Sequence, residues 1–302
     1  MRRAVLLLLL SLVLWGLASL AVGWMLLPDL LLHGPMPVRE KGFVARMKEE
    51  VAQEGGLVLE SVTGGEGRPL ELWHVKRVAP KGVVVLLHGF GDDAWGVLST
   101  SRSLPQWDAV AFTFRGRDRD PSTPCTLGGW ERQDVVAVVR HLMRSGFPPN
   151  RIVIAGWSMG AGTALLALVD LEQEGFRLGG ALLECPFEDL DHAARNHLRQ
   201  TLGPLTPLAW LAQKTAMFRA GQRAHFDPAA VSPVRAAKGL RTPVALVTGD
   251  ADALTPVEGV RRIARDHPDL TVVAGAGHCE ASGRLPGGWK AWAQERLTAW
   301  GL

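Results

Sequence analysis

Arg151-Ile-Val-Ile-Ala-Gly-Trp-Ser-Met-Gly-Ala-Gly162 decides how the rest of the chain is read. Residues 151–155 form a β-branched apolar run, the kind buried on both faces of a parallel sheet. Residues 161–171 are rich in Ala and Leu and read as a helix. Between them Gly156, Ser158 and Gly160 spell G-x-S-x-G. A serine at the tip of a sharp strand-to-helix turn has its hydroxyl pushed outward, and the flanking glycines let strand and helix approach. The helix start adds free N–H groups and a positive dipole end beside that hydroxyl. Five residues alone can arise by chance in a chain with 34 Gly; the strand–turn–helix setting gives the pattern its weight.

Upstream of this stretch, residues 127–144 carry Trp130, Val135, Val138, Val139 and Leu142 at helical spacing. Residues 110–114 and 83–87 read as strands, the latter ending at His88-Gly89-Phe90-Gly91. Residues 57–62 and 70–75 alternate around Thr63-Gly-Gly-Glu-Gly67 and predict an antiparallel hairpin at a sheet edge. Downstream, residues 180–184 are a strand ending at Cys185-Pro186. Residues 187–236 are helical and irregular, broken by Pro204, Pro207, Pro228 and Pro233, and too long for an ordinary connection. They predict a helical cap. Residues 242–248 resume the sheet, 257–266 form a helix, 270–274 a last strand, and 289–300 a closing amphipathic helix. The alternation predicts an α/β fold with a mostly parallel, doubly wound sheet and ligands bound at the carboxyl ends of its strands.

Polar residues gather at those strand ends. A serine hydroxyl needs a base within hydrogen-bond reach, and the base needs an orienting acceptor. His278, in Gly275-Ala-Gly-His, follows the last strand and is the expected base. Asp252 follows the strand before and is the expected acid. Asp250 competes with it, although Asp after Gly also caps turns, and Glu184 is a third candidate. The order Ser158, Asp252, His278 suits this architecture. A developing oxyanion needs two N–H donors, expected from Met159 and from Phe90 in the His88–Gly91 loop. His88 is expected to shape that loop, and His88, Gly89 and Trp157 are the expected substrate contacts. Cys279 sits beside the base without an elbow of its own. His192, His197 and His225 fall in the cap without metal-ligand spacing to a carboxylate, and no metal is expected.

The amino-terminal segment has a different character. After Met1-Arg2-Arg3, residues 4–27 carry no charge; as a helix they measure about 36 Å, enough to span a bilayer. The positive start predicts a cytoplasmic N-terminus and a globular part on the exported side. A cleaved signal peptide is the rival, with Ala21-Val22-Gly23 as a small-x-small site. The run continues through Trp24-Met-Leu-Leu, which favours an uncleaved anchor. The expected division is 1–32 transmembrane anchor, 33–50 juxtamembrane linker and 51–302 globular domain, with the cap at about 187–236.

Hydrophobic residues make up 47% of the 302, ample for one large core, and the net charge is +3. The basic residues are scattered, so no nucleic-acid partner is expected. The three cysteines have no C-x-x-C spacing; Cys185 and Cys279 follow strands at the same sheet end, where a disulfide between them is open.

The motifs Leu87-His-Gly-Phe90, Phe114-Arg-Gly116, Gly156-Trp-Ser-Met-Gly160, Gly249-Asp-Ala-Asp-Ala-Leu-Thr-Pro256 and Gly277-His278 occur in that order. Together, from about residue 57 to 300, they resemble the α/β-hydrolase superfamily, most closely the membrane-anchored bacterial serine-aminopeptidase-like and lysophospholipase-like hydrolases. Where that group has His-Gly-x-Ser after Arg-Gly, this chain has Arg117-Asp118-Arg119. The resemblance implies a serine hydrolase working through an acyl-enzyme without a cofactor. The expected substrate is a small-molecule or lipid-like acyl ester, with Leu205, Leu208, Trp210, Leu211 and Phe218 of the cap expected to line an acyl pocket, and the N-terminal helix is the expected membrane contact. A peptidase or amidase would use the same groups. A non-catalytic membrane-tethered binding domain would have no physical need to keep all of them.

Overall fold

The computed structural model describes residues 2–34, 36–53, 55–118 and 123–302; Met1, Pro35 and Arg119 of the stretches quoted above lie outside them. α1 (Arg2–Met25), α2 (Leu27–Leu32) and α3 (Phe43–Ala52) precede the sheet. β1 (Gly56–Thr63) and β2 (Pro69–Lys76) lead to β3 (Val83–Leu87), α4 (Ala94–Leu98), β4 (Asp108–Phe112), α5 (Glu131–Arg144), β5 (Ile152–Trp157), α6 (Met159–Gln173) and β6 (Gly180–Glu184). The cap follows with α7 (Leu190–Leu202), α8 (Trp210–Ala224) and α9 (Pro233–Ala236). β7 (Val244–Gly249), α10 (Val257–Ile263), β8 (Leu270–Val273), α11 (Ala281–Arg284) and α12 (Gly288–Ala299) complete the chain.

The eight strands form one sheet in the order β1-β2-β4-β3-β5-β6-β7-β8. β3 to β8 pair in parallel, while β2 runs antiparallel to both β1 and β4. Every residue of β3, β4, β6 and β7 is buried, as mostly apolar strands covered on both faces should be, with Asp108, Glu184 and Thr248 the polar exceptions. One core packs α5, α6 and α10 on one face; the other packs α3, α4 and α12 on the opposite face. This is the doubly wound α/β sheet expected, with the sharp β5-to-α6 turn near its middle.

Three local expectations shift. β4 starts at Asp108 and ends at Phe112, two residues early, because the buried Asp108 carboxylate is drawn into the sheet. It accepts the Arg77 N–H at 2.7 Å and faces His74 Nε2 at 3.0 Å. α5 begins at Glu131, four residues late. The Glu131 carboxylate accepts the N–H groups of Thr126 and Gly128 and the Thr126 hydroxyl, each at 2.7 Å. Those bonds hold residues 126–130 in a turn that competes with helix. The third shift concerns the cap, whose Leu205, Leu208, Trp210, Leu211 and Phe218 suggested an acyl-pocket lining. Leu205, Leu208, Trp210 and Phe218 face outward instead, because the buried face of α8, with Ala212, Ala216, Met217 and Ala220, is turned to α1, α2 and the core beneath.

Arg2–Leu32 is the one helical stretch among the described residues long and apolar enough to cross a membrane. The segment after it is fastened to the domain. The Leu32 carbonyl accepts the Cys125 N–H at 2.8 Å, the Gly34 carbonyl accepts Arg117 Nη1 at 2.9 Å, and Arg39 pairs with Asp92 and Asp93.

Candidate active site

The turn from β5 to α6 holds Ser158 at φ 51°, ψ −112°, outside ordinary helix and strand geometry. Two glycines make the turn possible. A Cβ on Gly160 would lie 2.2 Å from the Leu87 carbonyl oxygen, and one on Gly156 would lie 2.8 Å from the Ala161 nitrogen. Both are contacts with backbone that cannot yield. Met159, next to Ser158, opens α6, so its N–H is among those without a partner inside the helix.

The loops after β7 and β8 bring Asp252 and His278 to this turn. His278 Nε2 lies 2.9 Å from Ser158 Oγ, and His278 Nδ1 lies 2.7 Å from Asp252 Oδ2. Asp252 is buried and also accepts the Leu254 and Thr255 N–H groups at 2.9 Å and the Thr255 hydroxyl at 2.7 Å. Burial alone would raise the Asp252 carboxyl; the donors from His278 and Thr255 hold it below the usual carboxylate range. Burial likewise disfavours the imidazolium of His278, but the Asp252 carboxylate on Nδ1, with the Cys185 sulfur nearby, holds His278 above its ordinary value. An imidazole fixed in this way can take a proton from the serine and pass it to a leaving group.

The loop after β3 faces the serine from the other side. A Cβ on Gly89 would lie 3.6 Å from Ser158 Cβ, so this backbone runs against the elbow. His88 is fully buried and pushed down to about 4 by that burial, which keeps the ring neutral. Its Nδ1–H donates to the Gly89 carbonyl at 2.7 Å and its Nε2 accepts the Phe114 N–H at 3.0 Å. His88 thus ties the loop to the strand beside it. The guanidinium of Arg117 lies 4.6 Å from the Phe90 ring centre, and the backbone of Gly34 presses on the same ring. The Arg at the atypical position therefore braces the Phe90 loop against the N-terminal segment.

The other candidates have different partners. Glu184 is buried and accepts the Ser282 N–H at 3.0 Å and hydroxyl at 2.5 Å, which anchors the chain after His278. Asp250 is exposed and accepts the Gly275 N–H at 2.6 Å. Trp157 is half-buried with its ring 5.8 Å from that of Trp289, on the sheet face that packs α12. Cys185 and Cys279 are both free thiols with sulfurs 3.1 Å apart, and burial pushes the Cys185 thiol well above its ordinary value. Their sulfurs and a His278 ring nitrogen lie within 4.8 Å of one another. The expectation that His192 lacks metal-ligand spacing to a carboxylate is wrong: Asp189 caps α7, and His192 Nδ1 lies 2.9 Å from it and 3.3 Å from Glu188. A capping Asp three residues ahead of a His brings the two side chains together on one helical turn.

The roles of Thr255, Arg117 and Ser282 escaped sequence reasoning. Thr255 left a signal, since Asp followed by Thr three residues later is a familiar side-chain-to-backbone turn pattern, and Arg117 showed only as a departure from the usual motif.

Solved structures with a similar fold include an esterase from Pyrococcus furiosus, 18% identical, with TM-score 0.66 over 89% of this chain and 98% of that one. An alpha-beta hydrolase from Vibrio vulnificus is 21% identical, with TM-score 0.63 over 90% of this chain and 91% of its own. A puromycin-hydrolysing peptidase from Mycobacterium tuberculosis is 21% identical, with TM-score 0.55 over 81% of this chain and 39% of its own. No curated protein matches the sequence. Residues 84–284, which carry the elbow and the three loops that meet it, match the alpha/beta hydrolase family, and the chain belongs to that family.

Proposed function

We propose that the chain is a serine hydrolase that cleaves carboxylic esters through an acyl-enzyme. The observation that carries the reading is the single imidazole, His278, placed between Ser158 at 2.9 Å and Asp252 at 2.7 Å. Ser158 Oγ attacks the ester carbonyl carbon while its proton passes to His278 Nε2. The carbonyl oxygen, now negative, is held by the N–H groups of Phe90 and Met159. As the C–O bond breaks, His278 gives the proton to the departing alkoxide. Water then repeats the sequence on the acyl-serine and frees the acid. Asp252 orients the ring and stabilises its cation. His88 and Gly89 shape the wall beside the acyl carbon, and Trp157 stands at the edge of the site. All these groups are side chains and backbone N–H of the chain itself, so the reading calls for no cofactor.

The anchor reading belongs to the same proposal. Residues 1–32 hold the protein in a membrane with Arg2 and Arg3 on the cytoplasmic side, and residues 33–50 join them to a hydrolase domain, 51–302, on the exported side. A site tethered at a bilayer meets amphiphiles at high local concentration, which supports a lipid-like acyl ester. The esterase among the similar folds supports the same bond type.

The test is labelling of the full chain, in detergent or reconstituted vesicles, with a fluorophosphonate probe. Wild type should label and Ser158→Ala should not. A folded wild type that takes up no probe overturns the proposal. Parallel assays on acyl esters and aminoacyl amides then separate ester from amide cleavage, and faster amide turnover would move the assignment to a peptidase or amidase.

A further inference from the structure

The N-terminal helix does not stand apart from the cap. α1 lies along α8, and the face it turns inward consists of small residues: Gly16 half-buried, Ser19 and Gly23 buried. A Cβ on Gly23 would sit 2.4 Å from the Ala212 carbonyl oxygen. Small residues at this spacing let helix backbones approach closely, as they do between helices in lipid. Trp15 Nε1 donates to the Leu208 carbonyl at 3.1 Å, the Arg219 guanidinium lies 4.5 Å from the Trp24 ring centre, and Arg223 pairs with Asp29 at 2.7 Å. Other large residues of α1 at the same levels face away from the protein; Leu17 is 60% exposed and Met25 68%.

Helix length then places the cap. Residues 4–14, ahead of the first contact with the cap, rise only about 17 Å. That is little more than half of a ~30 Å hydrocarbon core. A spanning α1 must therefore use the turns between Trp15 and Met25 as well. Those are the turns against which α8 and the 3-10 turn before it (Gly203–Ala209) are packed. The cap surface there suits lipid. Residues 200–213 contain no ionisable side chain, with Arg199 and Lys214 bracketing the run. Leu205 and Leu208 are 58% and 55% exposed.

We infer that the turn Gly203–Ala209 and the first turns of α8 are embedded beside α1 in the leaflet that faces the domain. The cap is then a second membrane contact, and it brings the ester-cleaving site to its substrate in the bilayer. α2, six residues long, carries the chain from this level to Gly34, whose backbone touches the Phe90 ring of the oxyanion loop. The inference rests on the reading of α1 as an anchor, and the test separates the two.

Full-length protein is reconstituted into vesicles containing lipids brominated at mid-chain, and tryptophan emission is compared for wild type, Trp15→Phe and Leu205→Trp. The emission lost in Trp15→Phe reports α1, and the emission gained in Leu205→Trp reports the cap turn. Quenching of both is expected. Quenching of Trp15 with an unquenched residue at 205 overturns the embedded cap and leaves the anchor standing. If neither is quenched, the anchor reading fails and the inference with it. As a second measurement, Leu205→Asp/Leu208→Asp should lower turnover of a bilayer-borne ester about tenfold or more and leave a water-soluble short ester within about twofold. Equal rates on both substrates would count against a cap that delivers the site to the bilayer.

Discussion

Two junctions in this molecule rely on small residues in close contact, and their surroundings are opposite. At the elbow, Gly156 and Gly160 let β5, α6 and the loop after β3 touch through backbone, and the residues around them are buried. Between α1 and α8, Gly23 plays the same part beside the buried Ser19, but large apolar side chains around them face outward. The elbow is finished by the protein itself, so its geometry holds a reactive group. The helix–helix junction is finished only by what lies outside the protein. A close contact acquires its meaning from its surroundings: at the elbow a packed core fixes a serine, and at the helix pair an apolar outer face is left uncovered by the protein.

The comparison can be sharpened first at the reacting group. Ser158→Ala should lower ester turnover by about 10⁴-fold or more without changing the melting temperature. Asp252→Asn should lower it by about 10³- to 10⁴-fold. It should also move the acid limb of kcat/KM to lower pH. His278 serves as base only when neutral, and the Asp252 carboxylate holds it above its ordinary value, so activity falls as pH drops through that raised value. Removing the carboxylate's charge releases the shift, and a limb that stays in place would contradict the assigned partner.

The glycines come next. Gly160→Ala drives a Cβ against the Leu87 carbonyl and should cost about 3–5 kcal/mol, read as a large drop in melting temperature or loss of folded protein. Gly23→Leu meets the Ala212 backbone as closely, yet should shift the melting temperature of the domain by no more than about 2 °C. Its effect should appear as faster proteolysis between residues 33 and 42, as α1 parts from the cap. Equal thermal losses in the two variants would erase the contrast between the junctions.

The smallest effect lies away from both. Burial alone would raise the Glu60 carboxyl, but His141, Lys76 and His74 hold it down at about 2. Its contribution to stability is present above the ordinary carboxylate value and is lost as pH falls toward 2. Glu60→Gln should therefore lower the melting temperature near pH 7 and differ less from wild type near pH 3.

The sheet was legible in the sequence because β3, β5, β6 and β7 are apolar runs of strand length, and the elbow because its glycines are demanded by backbone contacts. The serine, acid and histidine could be nominated from their places after successive strands. What stayed hidden depended on partners distant in sequence. Glu131 holding the Thr126 turn and Asp108 drawn toward His74 moved two element starts. The outward face of the cap could not be read, because an apolar run such as residues 204–211 gives no sign of whether protein or lipid will cover it. Arg117 looked like a departure from a pattern, and its role needed Gly34, 83 residues earlier in the chain.

That brace bears on how the protein is prepared. Cutting the chain ahead of residue 43 to obtain a soluble hydrolase would remove more than a tether. It would take the carbonyl that receives Arg117 and the backbone that covers the Phe90 ring, and so would loosen the loop that runs against Ser158. A trimmed form that folds well and turns over slowly would then report a lost wall beside Ser158, and its kinetics would describe a different molecule from the full chain.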